Sequence, residues 1–208
     1  MKQLALLAGL ALVLAMPTWV AAQRTAPVTY PRVEVGAYGS YLRFNPSSGN
    51  AINYAGLGGR IDVNVVRNLA LEAQMDYDFS KNYTSTSSTN NSGGITTTFV
   101  TTGVRPLTGL FGPKLEFGAG GPVMAFVTGQ VGFIDFSTSN PNSVSGTTFT
   151  NAVNGIGGAG THLAVYPGGG LEFFLGPIGL RADIGDDIYL ANGTHNDMRV
   201  TFGPTIRF

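Results

Sequence analysis

Charged side chains are scarce in this chain, with 12 acidic and 12 basic residues in 208, and many recur two positions apart inside apolar stretches. Arg60 and Asp62, Arg181 and Asp183, and Asp197 and Arg199 are such pairs, and Glu72 and Asp76 lie four positions apart. In an extended strand, residues i and i+2 share a face. These groups therefore gather on one side of a sheet, joined by Glu34, Asp78, Arg105, Glu172 and Arg207. Enclosed together, opposite charges must pair and hydrogen-bond, because an unpaired buried charge is costly. The chemistry this supports is a polar plug. The alternative is a narrow, weakly cation-favouring pore, because acidic rings favour cations.

Other chemistries find weaker support. The histidines are His162 and His195, and Asp197 shares the strand face of His195, where it could orient an imidazole. His195 is expected in a polar loop. A hydrolase also needs a nucleophile, and Thr194 and Thr201 are poor substitutes for serine, so no catalytic residue is assigned. Gly168, Gly169 and Gly170 precede no helix, which excludes a phosphate loop and favours close backbone packing. The chain lacks cysteine, and no cluster has metal-ligand spacing; alternation separates Asp186 from Asp183 and Asp187. No cofactor or metal is expected. Zero net charge without a basic cluster argues against nucleic acid.

The elements that position these residues are strands. Residues 197–208 alternate strictly, with Met198, Val200, Phe202, Pro204, Ile206 and Phe208 on one face and Asp197, Arg199, Thr201, Gly203, Thr205 and Arg207 on the other. Residues 54–65 place Leu57, Ile61 and Val63 opposite Arg60 and Asp62, and residues 69–79 place Leu71 and Met75 opposite Glu72 and Asp76. Further strands are expected at 32–44, 95–105, 122–136, 161–175 and 178–190. A bulge is expected in the first, since Leu42 and Phe44 switch parity relative to Val33. Residues 80–94 and 137–160 are polar and are expected to be loops, the former mobile, and 191–196 a turn. Residues 106–121, rich in Gly and Pro, are expected as a long turn or an extra hairpin. The fold class is all-β, an antiparallel up-and-down barrel of about eight strands.

The start of the chain has one cation at Lys2 and an apolar run over 4–16, shorter than a spanning helix needs, with small residues before position 23. Residues 1–22 are expected to be a cleaved signal peptide, 23–31 a short periplasmic segment and 32–208 the barrel domain. Alternation alone leaves two geometries open. A soluble lipocalin-like ligand binder puts Leu71, Met75, Phe202 and Ile206 inside, whereas a membrane barrel puts them on lipid and the charges inside.

The strand pattern and the terminal Phe208 resemble the small eight-stranded bacterial outer-membrane proteins, the family that includes the OmpA membrane domain and OmpX. The resemblance covers about residues 32–208. It implies a location in the outer membrane, with Phe202, Ile206 and Phe208 as an assembly signal for the barrel assembly machinery. It also implies contact with outer-membrane lipid and lipopolysaccharide, and a structural or surface-interaction role in which outward loops meet an extracellular partner. A few members modify lipids, which keeps a lipid A hydrolase as the enzymatic alternative to a non-enzyme.

Overall fold

In the computed structural model, residues 31–45, 51–91, 94–139, 160–191 and 193–208 are described. The expected signal peptide and residues 23–30 lie outside them. The described residues form nine strands: β1 (Val33–Phe44), β2 (Ile52–Val66), β3 (Leu69–Asp78), β4 (Lys81–Asn91), β5 (Gly94–Phe117), β6 (Val123–Ser139), β7 (Gly160–Leu175), β8 (Ile178–Leu190) and β9 (Thr194–Arg207). Every pairing is antiparallel, each strand except the pair β3 and β4 lies beside its sequence neighbour, and β1 pairs with β9. β3 pairs with the second half of β5, closing the sheet, and β4 pairs with the first half. β3 and β4 thus occupy successive stretches of one wall position, and the wall is an eight-stranded up-and-down barrel.

Short turns cluster at one end, hereafter the near end, which also carries Val33 and Arg207. They are Arg67–Asn68, residues 118–122 and Gly176–Pro177. Gly118 (φ 82°) and Gly176 (φ 68°) take left-handed conformations there that suit glycine.

Several expectations change. Residues 106–117 are neither a long turn nor a hairpin; they continue β5 to Phe117. Proline is tolerated there because Pro113 falls in a break of the β5–β6 ladder, which skips from Phe111–Val131 to Lys114–Thr128. Pro167 and Pro204 sit in similar breaks against β8 and β1. Residues 81–91, expected within a mobile loop, are paired to β5 over Lys81–Val104 to Asn91–Gly94. β1 carries no bulge, and its register with β2 runs unbroken from Val33–Val63 to Phe44–Ile52. Leu42 and Phe44 accordingly stay on the face of Glu34 and are buried. The turn into β9 is shorter than expected, because the strand starts at Thr194.

The two faces of the wall settle the choice of geometry. Leu71, Met75, Phe202 and Ile206 are 40%, 55%, 59% and 43% exposed, while Asp62, Glu72, Arg181 and Arg199 are buried. The lipocalin-like alternative requires the reverse and is overturned.

Candidate functional site

Ten of the twelve acidic side chains are buried, against four basic ones, Arg60, Lys114, Arg181 and Arg199. Each belongs to the inward set of its strand, so alternation brings residues far apart in sequence into one lumen.

Arg181 on β8 organises the middle tier. Its Nη1 donates to Glu72 Oε2 at 2.6 Å and Nη2 to Glu72 Oε1 at 3.1 Å, a two-pronged pair across the barrel. Nη1 also lies 3.3 Å from Asp62 and from Glu172, and Nε lies 3.3 Å from Asp183. The guanidinium stacks 4.1 Å from the Phe126 ring centre. Arg60 donates Nη1 to Asp183 and Nη2 to Thr201 Oγ1 at 2.7 Å, and covers Tyr38. Tyr166 donates its hydroxyl to the other Asp183 oxygen at 3.1 Å. Gln130 donates to Glu72 at 2.6 Å and accepts from Gln74 at 2.8 Å.

Toward the near end, Lys114 Nζ lies 2.9 Å from Glu116 and Glu172, 3.3 Å from Asp62 and 3.6 Å from Glu34. Oxygens of Glu34, Glu116 and Glu172 all lie within 4.8 Å of one another, a spacing that suits a metal ion. The ammonium group already serves as their shared cation. Toward the far end, Arg199 Nη2 lies 2.8 Å from Asp187 and donates to Thr108 at 2.8 Å, while Asp76 accepts from Ser40 at 3.0 Å.

Of the expected network, the structure joins Arg60, Asp62, Glu72, Glu172, Arg181 and Asp183 directly. Asp76 and Arg199 stand in the next tier with Ser40, Thr108 and Asp187. Lys114, Glu116 and Gln130 belong to the same lumen and were not expected there, whereas Gln74 and Asp187 join it from the faces that alternation assigned to Glu72 and Asp183. Lys114 and Glu116 follow the i, i+2 rule once β5 is known to reach Phe117. Arg105 corrects an expectation: it points outward and donates to the Tyr77 hydroxyl at 3.0 Å. Arg207 sits at the near mouth over the Phe174 ring, bonded to the Gly176 carbonyl.

Both ends of this polar column are capped by apolar side chains. Ala119, Met124 and Phe174 form the near cap. At the far end Leu42, Phe44, Tyr54, Ile134, Phe136, Ala164 and Tyr189 pack together, with the Phe44 ring edge-on to Tyr54 and Phe136. His195 is no loop residue: it faces inward, stacks on Tyr189 at 4.9 Å and contacts the Ala191 carbonyl at 2.9 Å. Asp197 shares that face, and its Oδ1 accepts from the Asn45 amide at 2.7 Å. Among the described residues no serine hydroxyl is bonded to His195. Gly170 is the close approach that the glycine triplet suggested, since a Cβ there would lie 2.1 Å from the Ala182 carbonyl oxygen. Phe202, Ile206 and Phe208 line the outer face of β9 and are exposed.

No protein-family model matches the sequence, and a search of curated proteins finds no match. Solved structures do match. Neisserial surface protein A is similar over 85% of this chain and 97% of its own, at 12% identity and a TM-score of 0.58. The outer-membrane protein OprG of Pseudomonas aeruginosa is similar over 86% of this chain and 97% of its own, at 8% identity and a TM-score of 0.51. The chain has the fold of the small eight-stranded outer-membrane barrels.

Proposed function

We propose that the chain is an integral barrel of the bacterial outer membrane with a structural or surface role and no enzymatic activity. The observation that carries this is the inversion of the wall. Apolar side chains such as Leu57, Met75, Val131 and Phe202 stand outside, and ten carboxyl groups stand inside. Water penalises such an exterior, since contiguous exposed apolar area of this extent marks an interaction surface, and a hydrocarbon solvent suits it. Backbone groups are satisfied by a ring of strands without an edge, as hydrocarbon requires. The similar structures are of a surface protein and an outer-membrane protein, which agrees with this reading.

In this role the lumen network holds the wall together and closes it, and the far-end connections meet partners outside the cell. Phe202, Ile206 and Phe208 serve the barrel assembly machinery, and outer-membrane lipid and lipopolysaccharide contact the outer face. Membrane fractionation with a gel run with and without heating tests the reading. The expected result is recovery in the detergent-extracted membrane fraction, with a mobility that changes on boiling. Recovery in the soluble periplasmic fraction would overturn it.

A further inference from the structure

A hollow of about 380 Å³ opens on the outer surface at the near rim, lined by Phe173, Leu175, Ile178, Gly179, Leu180 and Pro204. The register explains its place: Leu180 lies between Phe173 on β7 and Pro204 on β9, next to the Leu175–Ile178 pair at the turn. The short ring of Pro204, between Phe202 and Ile206 on the outward face of β9, leaves the space open. Small-molecule sites span about 300–1,000 Å³. The lining is apolar, so the hollow suits a hydrocarbon chain. The same rim carries positive charge. The two acidic side chains that are not buried, Asp135 and Asp186, lie in the far halves of β6 and β8, whereas Arg32, Arg67 and Arg207 stand at the near end. Among the described residues none of these three arginines forms an ion pair. Arg207 is the one beside the hollow. Its main-chain amide donates to the Pro177 carbonyl and its Nε to the Gly176 carbonyl at 3.1 Å, and those two residues form the turn that joins Leu175 to Ile178. Its Nη1 is enclosed without a hydrogen-bond partner among the described residues. A guanidinium presents a planar fork that matches an oxyanion such as phosphate. The chain reaches β1 along β2, where Asn64 donates to the Pro31 carbonyl at 2.8 Å, on the side of β1 away from β8.

We infer that the hollow and Arg207 together hold one anionic glycerophospholipid of the leaflet at the near end, an inference that rests on the membrane-barrel reading. An acyl chain lies in the hollow, and the phosphate reaches over the Gly176–Pro177 turn to the guanidinium. Each feature alone is unselective. Hydrocarbon wets the hollow whatever headgroup it carries, and a phosphate without a chain gains nothing from apolar walls. Joined at one turn, they call for a ligand with an apolar tail and an anionic head. A zwitterionic headgroup brings a further cation to a rim that already holds three arginines. Basic residues at a membrane surface attract anionic lipid for this reason.

The test is native mass spectrometry of the full-length chain, shown to be folded by heat-dependent gel mobility and released from micelles that hold equal phosphatidylglycerol and phosphatidylcholine with identical acyl chains. Retained phosphatidylglycerol is expected to exceed retained phosphatidylcholine about fivefold, the preference that one arginine near a membrane surface supplies. Arg207→Gln is expected to bring the two lipids to equality, and Arg207→Lys, which keeps the charge, to retain a preference. Arg67→Gln, at the β2–β3 turn on the opposite side of the rim, should leave the ratio unchanged. Leu180→Trp fills the hollow from the outer face without touching the rim and should lower retention of both lipids. Excess glycerol phosphate, which offers the phosphate without the chains, should displace nothing. Equal retention by the unmodified protein, a preference that survives Arg207→Gln, an equal loss in Arg67→Gln, undiminished lipid on Leu180→Trp, or displacement by glycerol phosphate would each overturn the inference. Co-flotation with vesicles reports on the barrel itself, so failure of the membrane reading shows separately as protein left unfloated.

Discussion

Truncating Arg181 leaves Asp62, Glu72, Glu172 and Asp183 without the cation they share in a site closed to solvent. Removing one partner of a buried pair costs about 3–5 kcal/mol, because the remaining charge is uncompensated. Arg181→Ala is expected to lose that much in urea unfolding in detergent micelles, followed by circular dichroism. Glu72→Gln in the same background should recover part of the loss, since it removes the strongest orphaned acceptor. A double variant no more stable than Arg181→Ala would show that the pair is not coupled. Glycine gives a second contrast at this scale. A Cβ at Gly170 would press on the Ala182 carbonyl oxygen, whereas one at Gly129 meets nothing within 4 Å. Gly170→Ala is expected to destabilise by about 1–3 kcal/mol as an overpacking change, and Gly129→Ala to leave the urea midpoint within error.

Among the elements, β8 tests the lipid-facing reading by depth. Ile184 lies in the middle of the outward face of β8, while Phe79 follows β3 at the far rim. Arginine on the lipid face costs about 2–4 kcal/mol at the midplane and about 0–1 near the interface. Ile184→Arg should therefore lower stability in bilayers much more than Phe79→Arg, as read from urea midpoints of vesicle-embedded protein. Equal costs at the two depths would contradict a membrane-spanning β8. β1, β2, β3, β6, β7, β8 and β9 were legible from sequence, most cleanly β2, β3 and β9, because lipid and lumen impose opposite demands on their successive residues. β4 lacked that signal because its position beyond the rim imposes no lipid-facing pattern on its Ser, Thr and Asn residues. The near half of β5 was obscured by Gly112 and Pro113, which read as turn punctuation but occupy a ladder break within a strand. The candidate site followed the same division. Asp62, Glu72 and Arg181 were found by spacing, and Lys114 and Glu116 were lost with the strand that holds them. Leu42 and Phe44 misled because lumen-facing residues need not be polar where they cap the column.

At the scale of the whole molecule, the order of layers along the lumen bears on conduction. An excess of buried carboxyl groups would favour cations if water ran through. The column instead runs from Ala119, Met124 and Phe174 through ion pairs to the Phe44, Tyr54, Phe136 and Tyr189 cluster. An eight-stranded barrel has an interior just wide enough for side chains to fill. Conduction would require both apolar caps and the Arg181–Glu72 bridge to part together. Planar bilayers containing the unmodified protein are expected to stay electrically silent, and Phe44→Ala alone should leave them silent because the ion pairs beneath still block the path. Stable, cation-favouring current steps from the unmodified protein that change on Glu72→Lys substitution would reverse this conclusion. They would show that the paired side chains line a route rather than close one. Silence in Phe44→Ala would place the seal in the charged tiers, and steps appearing only in that variant would place it in the aromatic cap.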